Sequence, residues 1–206
     1  MSSRHPGINL GDTDPATHQV AESVVFGFWI FLMSDLVLFA LLFATYAATS
    51  QHGLAGGPTP SDIFDLKSPF IETMLLLVSS FTFGMASLAL KYRQDRGRLL
   101  LWLLVTFALG AGFVAMEIND FVRMAGDGQT PQQSAYLSSF FALVGTHGLH
   151  VSAGLIWLVI MVIQLFVFGL TQQVKMRLMR LAIFWHMLDV VWVCIFTFVY
   201  LFGVSQ

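Results

Sequence analysis

The sequence predicts an all-α integral membrane protein, a bundle of five transmembrane helices, and three observations carry that prediction. Of the 206 residues, 56% are hydrophobic and only 11% are charged, where a soluble globular domain is about a quarter charged. Five apolar runs, at residues 24–46, 70–90, 99–117, 138–167 and 181–203, are long enough to cross a bilayer, which takes about 20 helical residues for a hydrocarbon core of roughly 30 Å. None of the runs alternates as a barrel strand does, and five isolated runs cannot close a barrel, so helix is the form that satisfies its own backbone in lipid.

Ahead of the first run, MSSRHPGINLGDTDPATHQVAES is polar and carries two Pro and two Gly. It reads as a flexible cytoplasmic tail, residues 1–23, followed by a five-helix transmembrane domain, residues 24–206. The first run holds Asp35 at its middle and shows no A-x-A cleavage signal, so it is expected to remain as a span rather than act as a signal peptide. The fourth run exceeds the length of one crossing and is expected to tilt or protrude. Small residues recur at helical spacing, as Ala108, Ala111, Gly112 and Ala115 in the third run and Gly145, Gly148 and Ser152 in the fourth. Such stripes let helix backbones approach where lipid offers no hydrophobic drive for association. There is no internal repeat, so an inverted-repeat transporter is not supported.

Of the ten Lys and Arg residues, eight fall in the tail (Arg4), the connection 91–98 (Lys91, Arg93, Arg96, Arg98) and the connection 168–180 (Lys175, Arg177, Arg180). The other side holds Lys67 and Arg123, in loops rich in Gly, Pro and Asp. The positive-inside rule then predicts a cytoplasmic N-terminus and a C-terminus on the outer face. A net charge of -2 with no basic stripe excludes nucleic acid as a partner. The lone Cys194, in an apolar helix, reads as a small core residue.

Seven ionisable side chains lie in or at the ends of the runs: Asp35, Glu72, Glu117, His147, His150, His186 and Asp189. At 1.5 Å per residue, Asp35 and Asp189 come out roughly 16 and 12 Å above the inner face and His150 roughly 15 Å below the outer one. Glu72 and Glu117 are expected near the outer ends of their spans. His147 and His150 share one helix face, as do His186 and Asp189. Lipid exposure of an acid at the helix centre costs about 2.5–3.5 kcal/mol or more, so these groups should face inward and pair, Asp35 or Asp189 with a histidine.

Three readings stay open on spacing. A metal or haem site is disfavoured because two histidines three apart on one helix cannot ligate opposite sides of one iron, and no Glu-x-x-His pattern occurs. A proton path needs titratable groups across the whole membrane, and these cover about half its thickness. The third reading is a buried polar network that fixes how the helices pack.

GFWIFLMSD (27–35), ETMLLLVSS (72–80), FALVGTHGLHVSAGLIW (141–157) and FWHMLDVVWVCIFTFVYLFG (184–203) resemble, in order along the chain, the subunit III family of haem-copper respiratory oxidases. The five-span length, with AGGPTPSDIFDL (55–66) and GAGFVAMEINDF (110–121), is most similar to the branch found in cytochrome bo-type ubiquinol oxidases. By this resemblance the two further N-terminal helices of the seven-span members are not expected here. The resemblance implies an accessory subunit in the bacterial plasma membrane, bound to catalytic subunit I and to subunits II and IV of a proton-pumping complex that oxidises ubiquinol and reduces oxygen to water. It implies haem and copper in subunit I rather than in this chain, and bound phospholipid between the helices. It sets Glu72 at an intramembrane acid position and His147, His150, His186 and Asp189 in histidine and aspartate motifs, none an electron-transfer ligand. No catalytic, cofactor-binding or metal-ligating residue is therefore expected. A cytochrome c oxidase subunit III, or a membrane proton-carrier or transporter subunit, remains the alternative, and the electron donor stays open.

Overall fold

The computed structural model describes residues 15–52, 66–90, 96–201 and 203. Residues 1–14 of the predicted tail, with Arg4, lie outside the described residues, as do 53–65, which hold most of AGGPTPSDIFDL, and 91–95, which hold Lys91 and Arg93. Within the described residues run five helices: α1 Pro15–His52, α2 Lys67–Leu88, α3 Arg96–Gly126, α4 Ala135–Phe168 and α5 Gln172–Ile195. A π-helical stretch, Phe196–Leu201, completes the fifth apolar span. All five are long and apolar enough to cross a membrane.

The helices outrun the apolar runs, and at two starts a side-chain cap rather than hydropathy sets the end. The first helix is described from Pro15, inside the stretch that composition reads as tail. At the start of α4 the Ser134 hydroxyl accepts from the Leu137 N–H, and at the start of α5 Thr171 accepts from Val174. That second cap shortens the basic connection 168–180 to a turn, with Lys175, Arg177 and Arg180 already helical. The turn needs Gly169 at a φ of 69°, and its chain reversal brings the Arg96 side chain against it. Arg177 Nη1 donates to Gln164 Oε1 across the same corner at 2.9 Å.

Helices α2, α3, α4 and α5 form a ring in which each packs on the next, and α1 lies outside it against α4 and α5. Only 11% of the most apolar window of α1 is buried within the chain, against 56% for α5, so α1 faces lipid or another subunit and α5 anchors the core. Trp185 and Trp192, two turns apart on α5, are both buried, and their indoles donate to Ser79 Oγ and Thr73 Oγ1 of α2, each at 3.1 Å. Going up α5 from one to the other goes down α2, the register of antiparallel neighbours. The Trp185 ring fits because α3 and α4 present Gly110 and Gly154 to it. Thr82 and Thr106 join α2 to α3 at 2.8 Å, and Thr49 and Ser139 join α1 to α4 at 2.6 Å. Where there is no hydrophobic drive between helices, such bonds and close backbone approaches hold the bundle.

Candidate functional site

The seven ionisable side chains named from sequence are placed in separate groups between different helix pairs, and among the described residues no hydrogen bond joins any two of them. Asp35 of α1 faces His150 of α4, with Oδ2 3.8 Å from Nε2, an ion-pair approach too long for a hydrogen bond. The other ring nitrogen, Nδ1, lies 2.8 Å from the Thr146 carbonyl. A carbonyl can only accept, so Nδ1 carries the hydrogen, and Nε2 faces Asp35 with a proton only if the ring is an imidazolium.

His147, one turn away on the same helix, belongs to another environment. It is fully buried, donates from Nε2 to the Leu188 carbonyl of α5 at 3.2 Å, and leaves Nδ1 without a partner. Its ring sits 5.1 Å from Trp192 and 5.8 Å from Phe113, with Phe39 at 6.4 Å. Donation to a carbonyl inside an aromatic box is the arrangement of a neutral imidazole that welds α4 to α5.

His186 is half-exposed and lies 2.7 Å from the Ser80 hydroxyl of α2. Asp189, on the same face of α5, comes to 3.9 Å from His186 Nδ1, and neither of its oxygens has a hydrogen-bond partner. The expected pairing within this motif is thus a loose one, and Ser80 is the closer partner of the histidine.

Glu72 and Glu117 come together on one cavity of about 180 Å³, together with Asp120, Arg123, Asp127 and Tyr200. Helix α3 continues to Gly126, and the Glu117 carboxylate lies directly on Gly148 of α4, level with His147. A Cβ at Gly148 would stand 2.5 Å from Glu117 Oε2, so glycine there makes the slot that the carboxylate occupies. Sequence reasoning counted Arg123 only as a loop charge and did not single out Asp120 or Asp127.

The hydroxyl ties were also missed. Thr73, Ser79, Ser80 and Thr82 all lie on α2, but they point to different sides of the helix, so no periodic stripe marks them in the sequence. Among the described residues no group of three His, Cys, Asp or Glu could hold a metal ion directly. The arrangement ties helix pairs together, and at Ser80 and His186 it sets a hydroxyl beside an imidazole.

The sequence profile of cytochrome c oxidase subunit III matches residues 10–204. The chain belongs to that family. Among its relatives, the cytochrome bo(3) ubiquinol oxidase subunit 3 of Pseudomonas aeruginosa is 50% identical over 94% of this chain and 92% of that protein. The protein of the same name from Pseudomonas putida is 53% identical over 91% of this chain and 89% of its own length. The quinol oxidase subunit 3 of Bacillus spizizenii is 44% identical over 88% of each. Subunit III membership agrees with the fold: an all-helical, multi-pass membrane chain whose exposed faces are apolar along every helix.

Proposed function

We propose that the chain is the accessory subunit III of a proton-pumping quinol oxidase, a membrane complex that oxidises ubiquinol and reduces oxygen to water. The observation that carries this reading is the likeness, at half identity over nine-tenths of the chain, to relatives named as ubiquinol oxidase subunit 3. Those names favour quinol over cytochrome c as electron donor and an oxidase subunit over an autonomous transporter. In this reading haem and copper reside in catalytic subunit I, and this chain supports assembly and stability of that subunit, alongside subunits II and IV and bound phospholipid. Asp35, Glu72, Glu117, His147, His150, His186 and Asp189 act as packing residues inside the bundle. The chain sits in a bacterial plasma membrane with residues 1–23 as a cytoplasmic tail, residues 24–206 as the membrane domain, and the C-terminus on the periplasmic side.

A tagged copy extracted from membranes tests the whole reading in one preparation. The expected result is co-purification of larger haem-bearing subunits, with quinol-dependent oxygen uptake and no oxidation of reduced cytochrome c. Recovery of the chain alone, without a haem spectrum, would sink it.

A further inference from the structure

We infer that the outward face of α5 around His186 docks a transmembrane helix of another oxidase subunit, one that offers a hydrogen-bond acceptor to His186 Nε2. This rests on the accessory role proposed above and adds to it a surface and a chemistry of contact. The imidazole turns its Nδ1 edge inward, 2.7 Å from Ser80 Oγ and 3.9 Å from Asp189 Oδ2, and Phe83 packs on the ring. The side chain is 45% exposed, and among the described residues Nε2 is neither hydrogen-bonded nor enclosed. Among the same residues Nδ1 is the one acceptor within hydrogen-bond distance of the Ser80 hydroxyl. The hydroxyl therefore donates to Nδ1, and the ring's hydrogen sits on Nε2, as it also does in an imidazolium. The group that α5 turns outward is a donor.

His186 lies at the centre of the span Gln172–Leu201, about 20 Å of helix from either end. Arg180, the last basic residue of α5, stands before it in the sequence, about 9 Å away along the axis. Acyl chains hold no acceptor at that depth, and a donor left unpaired in hydrocarbon is costly. Another protein can bring an acceptor there on a helix, the form whose backbone satisfies itself in lipid. Helix α5 packs on α1, α2 and α4, and the stripe that those contacts leave open is Ile183, His186, Val190, Val193 and Thr197, all partly or fully exposed. Their alternating steps of three and four residues make the seam of a left-handed helix pair. Short β-branched side chains are stiff at χ1, so covering them costs little freedom, and they let a second backbone come near. Thr197 already donates to the Val193 carbonyl at 2.7 Å, which leaves His186 as the unmet donor of the stripe.

The test is photo-cross-linking in membranes that hold the whole oxidase, with p-benzoylphenylalanine placed at Val190 or at Val193, which are 60% and 41% exposed. The expected adduct joins the chain to a membrane-spanning segment of another oxidase subunit that carries Asp, Glu, Asn, Gln, Ser or Thr within one helical turn of the linked residue. Adducts to lipid or quinone only, or to a segment without such a residue, overturn the proposal, and they leave the accessory reading standing where haem-bearing subunits co-purify. A chain that purifies alone overturns both. In the purified complex, His186→Phe should speed dissociation of the chain at least about threefold, the worth of one bond between membrane helices. His186→Gln, whose amide still donates, should restore most of that loss. Ser80→Ala removes the inward bond and keeps the outward donor, so it should dissociate at the wild-type rate; equal losses in Ser80→Ala and His186→Phe overturn the proposal. Should His186→Phe fail to assemble, the adducts decide.

Discussion

Replacing Gly110 with Ala tests whether the bundle depends on a close approach between α3 and the tryptophan of α5. A Cβ at this position would stand 2.8 Å from Trp185 Cη2 and 3.0 Å from both Trp185 Cζ2 and Leu155 Cδ2. The indole cannot retreat, because its Nε1–H is held by Ser79 Oγ at 3.1 Å and its opposite edge meets Gly154 of α4, where a Cβ would already be 3.2 Å away. Either α3 moves outward or the tryptophan leaves its rotamer, and overpacking of this kind costs about 1–3 kcal/mol. Alanine also gains about 1 kcal/mol of helix propensity over glycine, so the variant must be compared with Gly84→Ala, whose Cβ meets nothing within 4 Å. Reversible unfolding in mixed detergent micelles, followed by tryptophan fluorescence, should place Gly110→Ala about 1–3 kcal/mol below Gly84→Ala. Adding Trp185→Phe, which removes the clashing ring atoms, should recover most of that difference in the double variant. Equal stabilities for the two alanine variants, or strict additivity with Trp185→Phe, would refute the packing argument.

Three further outcomes are expected. A double-mutant cycle on Thr82→Val and Thr106→Val should give a coupling of about 0.6 kcal/mol and at most about 1.7, the range for bonds between membrane helices; zero coupling would mean that the 2.8 Å contact contributes nothing. Asp189→Asn should not lower stability, because neither buried carboxylate oxygen has a hydrogen-bond partner to lose and the amide carries no charge to desolvate, and it should leave the haem spectrum and quinol oxidation of the complex in place. An assembled complex of this variant that no longer turns over would assign Asp189 to the chemistry. Reporter fusions at the two termini should report a cytoplasmic N-terminus and a periplasmic C-terminus, and the reverse result would contradict the reading of the basic residues.

The five spans were legible because lipid imposes a length and an apolar composition that few other constraints can produce. Their ends were not, since Ser134 and Thr171 set the starts of α4 and α5 through caps that hydropathy does not register. The polar residues Asp120 and Arg123 likewise lie past the apolar run, yet α3 continues through them to Gly126. The ionisable set was read from its cost in hydrocarbon, and its aspartates were expected to face a histidine, but which histidine met which acid was not legible. That His150 meets Asp35 while His147 meets a carbonyl, although they are one turn apart, depends on which neighbours α1 and α5 present, and that is tertiary information. Gly110 and Gly154 escaped notice because spacing identified other small residues; only the position of Trp185 shows which glycines are required.

The separation of the polar groups bears on what the chain does. A proton path needs one connected file of exchangeable groups, whereas here Asp35 and His150 lie between α1 and α4, His147 between α4 and α5, Ser80 and His186 between α2 and α5, and Glu117 between α3 and α4. With the Thr82–Thr106 bond between α2 and α3, every contact around the ring carries a polar contact of its own. That distribution is the one expected if each contact must be specified individually, because leucine against leucine is no better than leucine against lipid and cannot choose a partner. It also predicts how damage should spread. A substitution in one group should loosen the two helices that it joins, and hydrogen exchange should then rise on those helices alone; exchange rising equally along all five would show that the groups act as one unit after all.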